Sequence, residues 1–467
     1  MTAVAKPAPP PVVLTPHPLQ RVGAFALARL AGVKHPDQVG EPELERAVSV
    51  MHDDLYATTR LPDSKAPDGF WLAASYLFWP NSKLNATNRN KLSVTGRRDL
   101  LREWRTLPGL GSMLGVPCAL CGREACGFYG KVDVPLGASV NYRNTTPRGH
   151  DGLALCRGCL ASFHALPYGC AIAGGRAAVV HSWDDQFLQR VVGRQVHRMR
   201  QKADVASGRF GHRRPYARQV AALERIRAYD ERLTAGVDLM VFSNSNKEQA
   251  LDVHAMSQPL AEWVRVTRHR PDMAAGWRYL VRAHHGPKVP GLSALARNLF
   301  DRPRLVVSVA ARYLRGQAED LRVPPGEASG LGIVCSDYAM RVLDMENSDA
   351  DEIRQLAKNV AAEAGRDESE FMKFVVAGRK ISELKKWLRG KAISQVRFSR
   401  APGAFVSERQ WRLLFDSGDD GFLNRDLLLI CALEEVQALD PKWRTDDPAK
   451  RSELDDDLGD VEQEGEE

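Results

Sequence analysis

The chain has no run approaching the roughly 18 consecutive apolar residues that a membrane-spanning helix needs, so no span is expected. Cysteine is scarce, with eight in 467 residues. That is too few for a disulfide scaffold. The start lacks the apolar core of an export signal. Met1 to Pro18 holds one lysine and six prolines and reads as a disordered leader. A cytoplasmic protein is the simplest expectation. The chemistry-bearing signatures are missing too: no GxxxxGK phosphate loop, no GxGxxG after a strand and no HExxH. No serine nucleophile elbow and no pair of carboxylates in a plausible cleft stands out. No internal repeat is visible.

Against these absences stand an apolar fraction of 44% and a charged fraction of 26%, ordinary values for globular cores. The length suggests two or three domains. Charge is unevenly placed. Glu453 to Glu467 carries nine carboxylates and no lysine or arginine; removing those nine from a chain of net +7 leaves a body of +16. A body this positive points to a polyanionic partner, and the acidic tail (446–467) reads as disordered.

The most informative stretch runs from Cys118-Ala119-Leu120-Cys121-Gly122 to Leu155-Cys156-Arg157-Gly158-Cys159, with 34 residues between Cys121 and Cys156. Two CxxC pairs are what a tetrahedral zinc ion needs, with each pair turning two sulfurs towards one point. Gly122 suits a knuckle that requires positive φ. Four thiolates close the metal's shell, so the site is expected to be structural. The long insert reads as carrying a hairpin over Phe128–Val140.

Around this stretch, helices are expected over 19–34, after Pro42 and over Leu100–Leu107. Phe70–Trp79 fits either a buried strand or a short core helix. Strands are expected at Ala177–Ser182 and Leu239–Asn244. From Arg190 to Arg227 there are eleven Lys or Arg against two acidic residues. Such one-sided charge favours phosphate contact over a merely solvated face. Phe187, Leu188, Val191 and Val192 mark the core side of that helix. Arg190, Arg194, Arg198, Arg200 and Lys202 lie on it, and Arg209, Arg213 and Arg214 in the loop that follows. A second basic helical region spans 260–315. The adjacent His284 and His285 point different ways on a helix and read as structural or surface residues. The proline- and glycine-bearing stretch Leu321–Gly332 reads as a domain boundary, and the rest to about 445 as a helical bundle. There Lys385, Lys386, Arg389 and Lys391 form a basic face. Asn85, Asn88, Asn90 and Lys91, in an Asn-rich loop, are candidates for groove contact.

The order CxxC, insert, LCxxC also resembles the frame of His-Asn-His nucleases. The chain departs from that frame where chemistry would sit: Asp133 has no histidine beside it, His150 is isolated, Leu160 follows Cys159, and His164 comes late. A zinc-containing nuclease therefore stays an alternative, as does a zinc-stabilised regulator that binds DNA alone. More of the order is matched by another family. CxxCG, an insert with Asn141-Tyr142, LCxxC with a small-apolar helix, Leu166-Pro167-Tyr168-Gly169, Val179-Val180-His181-Ser182 and a basic helix resemble the zinc-bearing large subunit of type I CRISPR Cascade complexes. The likeness is strongest to the Cst-type subunit of subtype I-B. It covers about residues 118–195; beyond that it lies in length, charge and layout.

The resemblance implies a non-catalytic subunit of an antiviral nucleoprotein complex. Its partners would be double- and single-stranded DNA, the guide RNA complex and the nuclease-helicase it recruits. Arg194, Arg198 and Arg200 would meet phosphates, and Lys385, Lys386, Arg389 and Lys391 would line the displaced strand's path. The expected fold is α+β and mostly helical. A zinc-ribbon-like module (about 112–170) sits in an α/β N-terminal region (19–325, with basic helices at 187–232 and 260–315), followed by an all-α C-terminal bundle (330–445).

Overall fold

The computed structural model describes residues 10–58, 70–80, 82–83, 91–137, 152–173, 175–204, 215–244, 249–320, 323–364, 366–398, 404–416, 418, 420–440 and 443. The chain forms two compact units. One comprises 1–214 with 234–255, and the other 215–233 with 256–467.

The first unit is built around α1 (Pro18–Leu30). Pro18 presets its first turn, and the His17 ring accepts from the Gln20 amide. Gly32, at φ +82°, stops it. The spacing of Val22, Phe25, Ala26 and Leu30 predicts one apolar face, yet nearly every residue of α1 is buried, including Gln20 and Arg21. Gln20 satisfies itself by accepting from Thr15 and donating to the carbonyl of Val13 and the hydroxyl of Ser162. Around it come α2 (Glu41–Thr58), α3 (Phe70–Phe78) and α4 (Val94–Arg105). Phe70–Phe78 is thus a short core helix rather than a strand. Then follow β1 (Gly127–Tyr129), β2 (Leu153–Leu155) and α5 (Arg157–Ala165), the last continued by a 3-10 turn at Leu166–Gly169. The unit ends in β3 (Ala171–Ala173), β4 (Arg176–Ser182), α6 (Asp185–Asp204), β5 (Val237–Asn244) and β6 (Gln249–Met256).

Strands β3, β4, β5 and β6 lie side by side in that order. β4 is antiparallel to both neighbours described in register, pairing Ala177 with Phe242 and Ser182 with Val237. Both α1 and α6 lie against β4. The expectation of a disordered leader over 1–18 fails for its described part. From residue 10 the chain is ordered: Val12 is buried, and the Arg123 guanidinium donates to the carbonyl of Pro10. Proline-rich composition argues for disorder, but an apolar Val12 among those prolines has a core to enter. Residues 1–9 lie outside the described residues, as does the acidic tail beyond Trp443.

The second unit is all helical: α7 (Ala217–Arg227), α8 (Gln258–His269), α9 (Pro271–Ala283), α10 (Gly291–Asp301), α11 (Leu305–Glu319), α12 (Glu327–Val342), α13 (Asn347–Ala364), α14 (Glu368–Ala377), α15 (Ile381–Phe398), α16 (Glu408–Phe415) and α17 (Asp420–Leu439). The middle of α17, Leu427 to Leu433, is apolar and buried without a break, because α11, α12, α13 and α16 pack against the helix. The stretch expected to separate two domains lies inside this unit. Pro324 and Pro325 only precede α12, which runs against α9 and α17. Residues 215–233 join the unit because α7 lies on α8 and α10.

Candidate metal centre

Cys118 and Cys121 sit in a tight knuckle. The Gly122 amide donates back to the Cys118 carbonyl at 2.9 Å, and Gly122 takes φ +73°. A side chain at that position would be strained, which is why glycine follows the second thiol. Strand β1 pairs with β2 in antiparallel register, Gly127 against Leu155. The Ala119 amide also donates to the carbonyl of Ala154. These bonds carry the second CxxC up to the first.

The insert departs from the expected hairpin over Phe128–Val140. Strand β1 finds its partner, β2, at the far end of the insert, beside the second cysteine pair. After β1 the chain turns on itself, with the Val134 amide bonded to Gly130. Buried Asn244 holds this turn. It donates to the carbonyls of Lys131 and Phe78 and accepts from the Leu136 amide and from Gln249. Asn244 reads in the sequence only as the last residue of a strand before a polar turn.

The second pair is not a copy of the first. Cys156 is the N-cap of α5, and Cys159 lies in its first turn. A helix N-terminus favours negative charge, so two of the four sulfurs sit where thiolates are stabilised. All four Sγ atoms lie within 4.8 Å of one another, and Cys121 and Cys156 are 3.5 Å apart. Tetrahedral metal–sulfur bonds of about 2.3 Å place sulfurs about 3.8 Å apart, within the observed spread. Without a cation, the thiols of Cys156 and Cys159 bond to Cys118. This holds Cys118 low, pushes Cys156 up to about 12, and drives Cys159 higher still. A bound dication would favour the thiolate form of all four. The four cysteines can therefore hold one metal ion. Among the described residues they form the one group of His, Cys, Asp or Glu able to do so. His164 does not join them: it is buried in α5, its pKa pushed well down by burial and by Arg105. His150 lies outside the described residues.

The metal-bearing segment is tied to the basic helix. The 3-10 turn after α5 lies against both α1 and α6, and Gln195 of α6 donates to the carbonyl of Cys170 at 2.9 Å. On α6, Phe187, Leu188, Val191, Val192, Val196 and Met199 are buried, while Arg194, Arg198 and Arg200 are exposed. None of those three arginines has a carboxylate in salt-bridge reach among the described residues. Arg190 is half-buried and is not without a partner. Lys202 lies in the helix's last turn. Asn85, Asn88, Asn90, Arg209, Arg213 and Arg214 lie outside the described residues; Lys91 is exposed.

In the second unit, Lys385, Lys386 and Arg389 share α15. Lys386 and Arg389 are exposed and Lys385 is half-buried. The Lys385 ammonium lies 4.9 Å from the Phe415 ring, and the Arg389 guanidinium 5.1 Å from that of Trp411. Sequence reasoning passes over both rings of α16, although their i, i+4 spacing marks them as neighbours. Lys391 is different. It bonds Glu363 and Glu370, each at 3.0 Å, with its side chain 17% exposed. It is an internal ion pair, and the acids come from the two preceding helices, α13 and α14. No family model, no curated protein and no solved structure matches the chain.

Proposed function

We propose that the chain is a non-catalytic, DNA-gripping subunit of a CRISPR surveillance complex, of the large-subunit kind its motif order resembles. It would work in the cytoplasm, in antiviral defence. A structural zinc ion on Cys118, Cys121, Cys156 and Cys159 completes its N-terminal module; an all-sulfur tetrahedral set suits zinc and leaves no open position for a substrate. One observation carries the reading. The four-thiol cluster is joined through α5 and its 3-10 turn to a helix whose open face presents Arg194, Arg198 and Arg200 with no acidic partner among the described residues. Fixed, unpaired arginines are what phosphate contact needs. In such complexes guide RNA reads the sequence by pairing, while protein reads a short neighbouring motif and grips the backbone. The ring-and-cation row of Arg389, Trp411, Phe415 and Lys385 suits a displaced single strand, since stacked aromatics and basic side chains together hold unpaired bases. The remaining partners would be the other subunits of the guide RNA complex and the nuclease-helicase.

A gel-shift titration of the purified chain and of the assembled complex, in rising salt, tests this. The expected result is a steep linear fall of log K with log salt. A flat dependence, or no binding to duplex, single strand or guide RNA complex, would refute it. Sequence-specific duplex binding without guide RNA would favour a stand-alone regulator instead.

A further inference from the structure

Arg105, at the end of α4, is 3% exposed. Its guanidinium lies in the corner of two indoles set at 84° to each other, 4.0 Å from the ring centre of Trp79 and 3.7 Å from that of Trp104. Among the described residues, none of Nε, Nη1 and Nη2 has a hydrogen-bond partner. Asp133 lies close enough for its charge to act on Arg105 but accepts a hydrogen bond from Trp104 Nε1, at 3.0 Å, and not from the guanidinium. Burial lowers the pKa of Arg105 to about 9, which leaves it a cation at neutral pH.

Arg105 lines a cavity with His52, His164 and Trp79, whose remaining walls include Val48 and Met51. His164 Nε2 and Trp79 Nε1 are also buried without a partner among the described residues. Several buried polar atoms without a partner among the described residues thus border one small space: the Arg105 and Trp79 N–H donors and the Nε2 atoms of His52 and His164. About 10 Å³ of it is open to the centre of a water-sized sphere, the room one water takes. A water would satisfy donors and bring no charge, leaving the cation uncompensated at contact. A single-atom anion fits the same room, accepts from several donors at once and supplies the charge.

We propose that the cavity edged by Arg105, His164 and Trp79 is a binding site for a monatomic anion of halide size. It is separate from the four-cysteine cluster and from the exposed arginines of α6, and it does not depend on the function proposed above. Chloride would act here in the direction opposite to screening: rising salt weakens phosphate contacts but fills this site.

Crystals of the full chain soaked in sodium bromide test the site directly. The expected result is an anomalous peak against the Arg105 edge. Density there without anomalous signal is a water and overturns the proposal, as does an empty cavity. In solution, melting of the same protein is followed in sodium chloride and in sodium gluconate at equal ionic strength. Chloride should raise Tm by about 2 °C or more for each tenfold increase above its dissociation constant, with gluconate flat. Arg105→Leu should abolish the difference between the salts. Equal melting of the unmodified protein in both salts overturns the proposal even where bromide is seen in the crystal, so a variant that fails to fold leaves the test intact.

Discussion

The side-chain amide of Gln195 donates to the main-chain carbonyl of Cys170 across 2.9 Å, and both residues are buried. This bond fastens the basic helix to the segment that leaves the cysteine module. In Gln195→Leu the Cys170 carbonyl is deprived of its side-chain donor inside the protein. Urea unfolding should show a loss of about 1–3 kcal/mol. Bound metal per chain should stay unchanged, because the four cysteines are untouched.

Gly23 marks where α1 and α5 touch. A Cβ there would lie 2.0 Å from the Ser162 carbonyl oxygen, so neither helix could keep its place. Gly23→Ala should cost about 3 kcal/mol or more in a thermal melt. Gly316 in α11 has nothing within 4 Å of the same atom. There the alanine variant should gain about 0.5–1 kcal/mol, from reduced freedom of the unfolded chain. The pair separates crowding from helix propensity.

His284 tests acid sensitivity of the second unit. Its ring is buried, bonds the Leu280 carbonyl at 2.8 Å, and titrates near pH 4 because burial disfavours the charged form. An unfolded histidine titrates near about pH 6.5, so the unfolded chain takes the proton first. Its contribution is complete above about pH 6.5 and declines as pH falls towards 4, by about 3 kcal/mol in all. His284→Gln should flatten that part of the stability–pH curve measured by denaturant titration. An unchanged slope would mean that other groups carry the acid response.

Much of this is legible in the sequence where the signal is local. Cysteine spacing locates the metal cluster, since a CxxC fixes which sulfurs can converge. The α6 stripe of Phe187, Leu188, Val191 and Val192 marks its buried side, leaving the arginines outside. Signals that depend on remote partners do not show. Lys391 sits among basic neighbours in sequence, but Glu363 and Glu370 reach it from other helices. β6 is largely exposed along its length, so an edge strand such as Gln249–Met256 leaves no apolar alternation to read. Prolines at 324 and 325 mark a connection that composition alone cannot tell from a boundary, because the chain beyond them returns to the same core.

The metal's contribution is tested by Cys156→Ser. Cys156 caps α5 as well as offering a ligand. Serine keeps a capping oxygen, so the variant mainly removes the thiolate. Metal per chain, measured by atomic absorption, should fall, and the first unit should melt earlier. A strong chelator should produce the same drop in the parent and little further change in the variant. A variant that melts and binds metal like the parent would rule out the cluster as a site.

The exposed arginines of α6 and the ion-paired Lys391 should part company when replaced. Every phosphate that a side chain ceases to neutralise reduces the slope of log K against log salt by about 0.9 on duplex DNA. Replacing Arg194, Arg198 and Arg200 together by alanine should therefore lower that slope by up to about 2.7, with stability within about 0.5 kcal/mol of the parent. Lys391→Ala should do the reverse. Its ammonium is mostly shielded between Glu363 and Glu370, and removing it takes away the cation they share, leaving each with one more exposed partner, Arg366 and Lys373 respectively. Loss of that cation should destabilise the bundle by about 1–3 kcal/mol, seen by urea unfolding, with the salt slope unmoved. Equal slopes for the triple variant and the parent would show that the open face of α6 meets no phosphate.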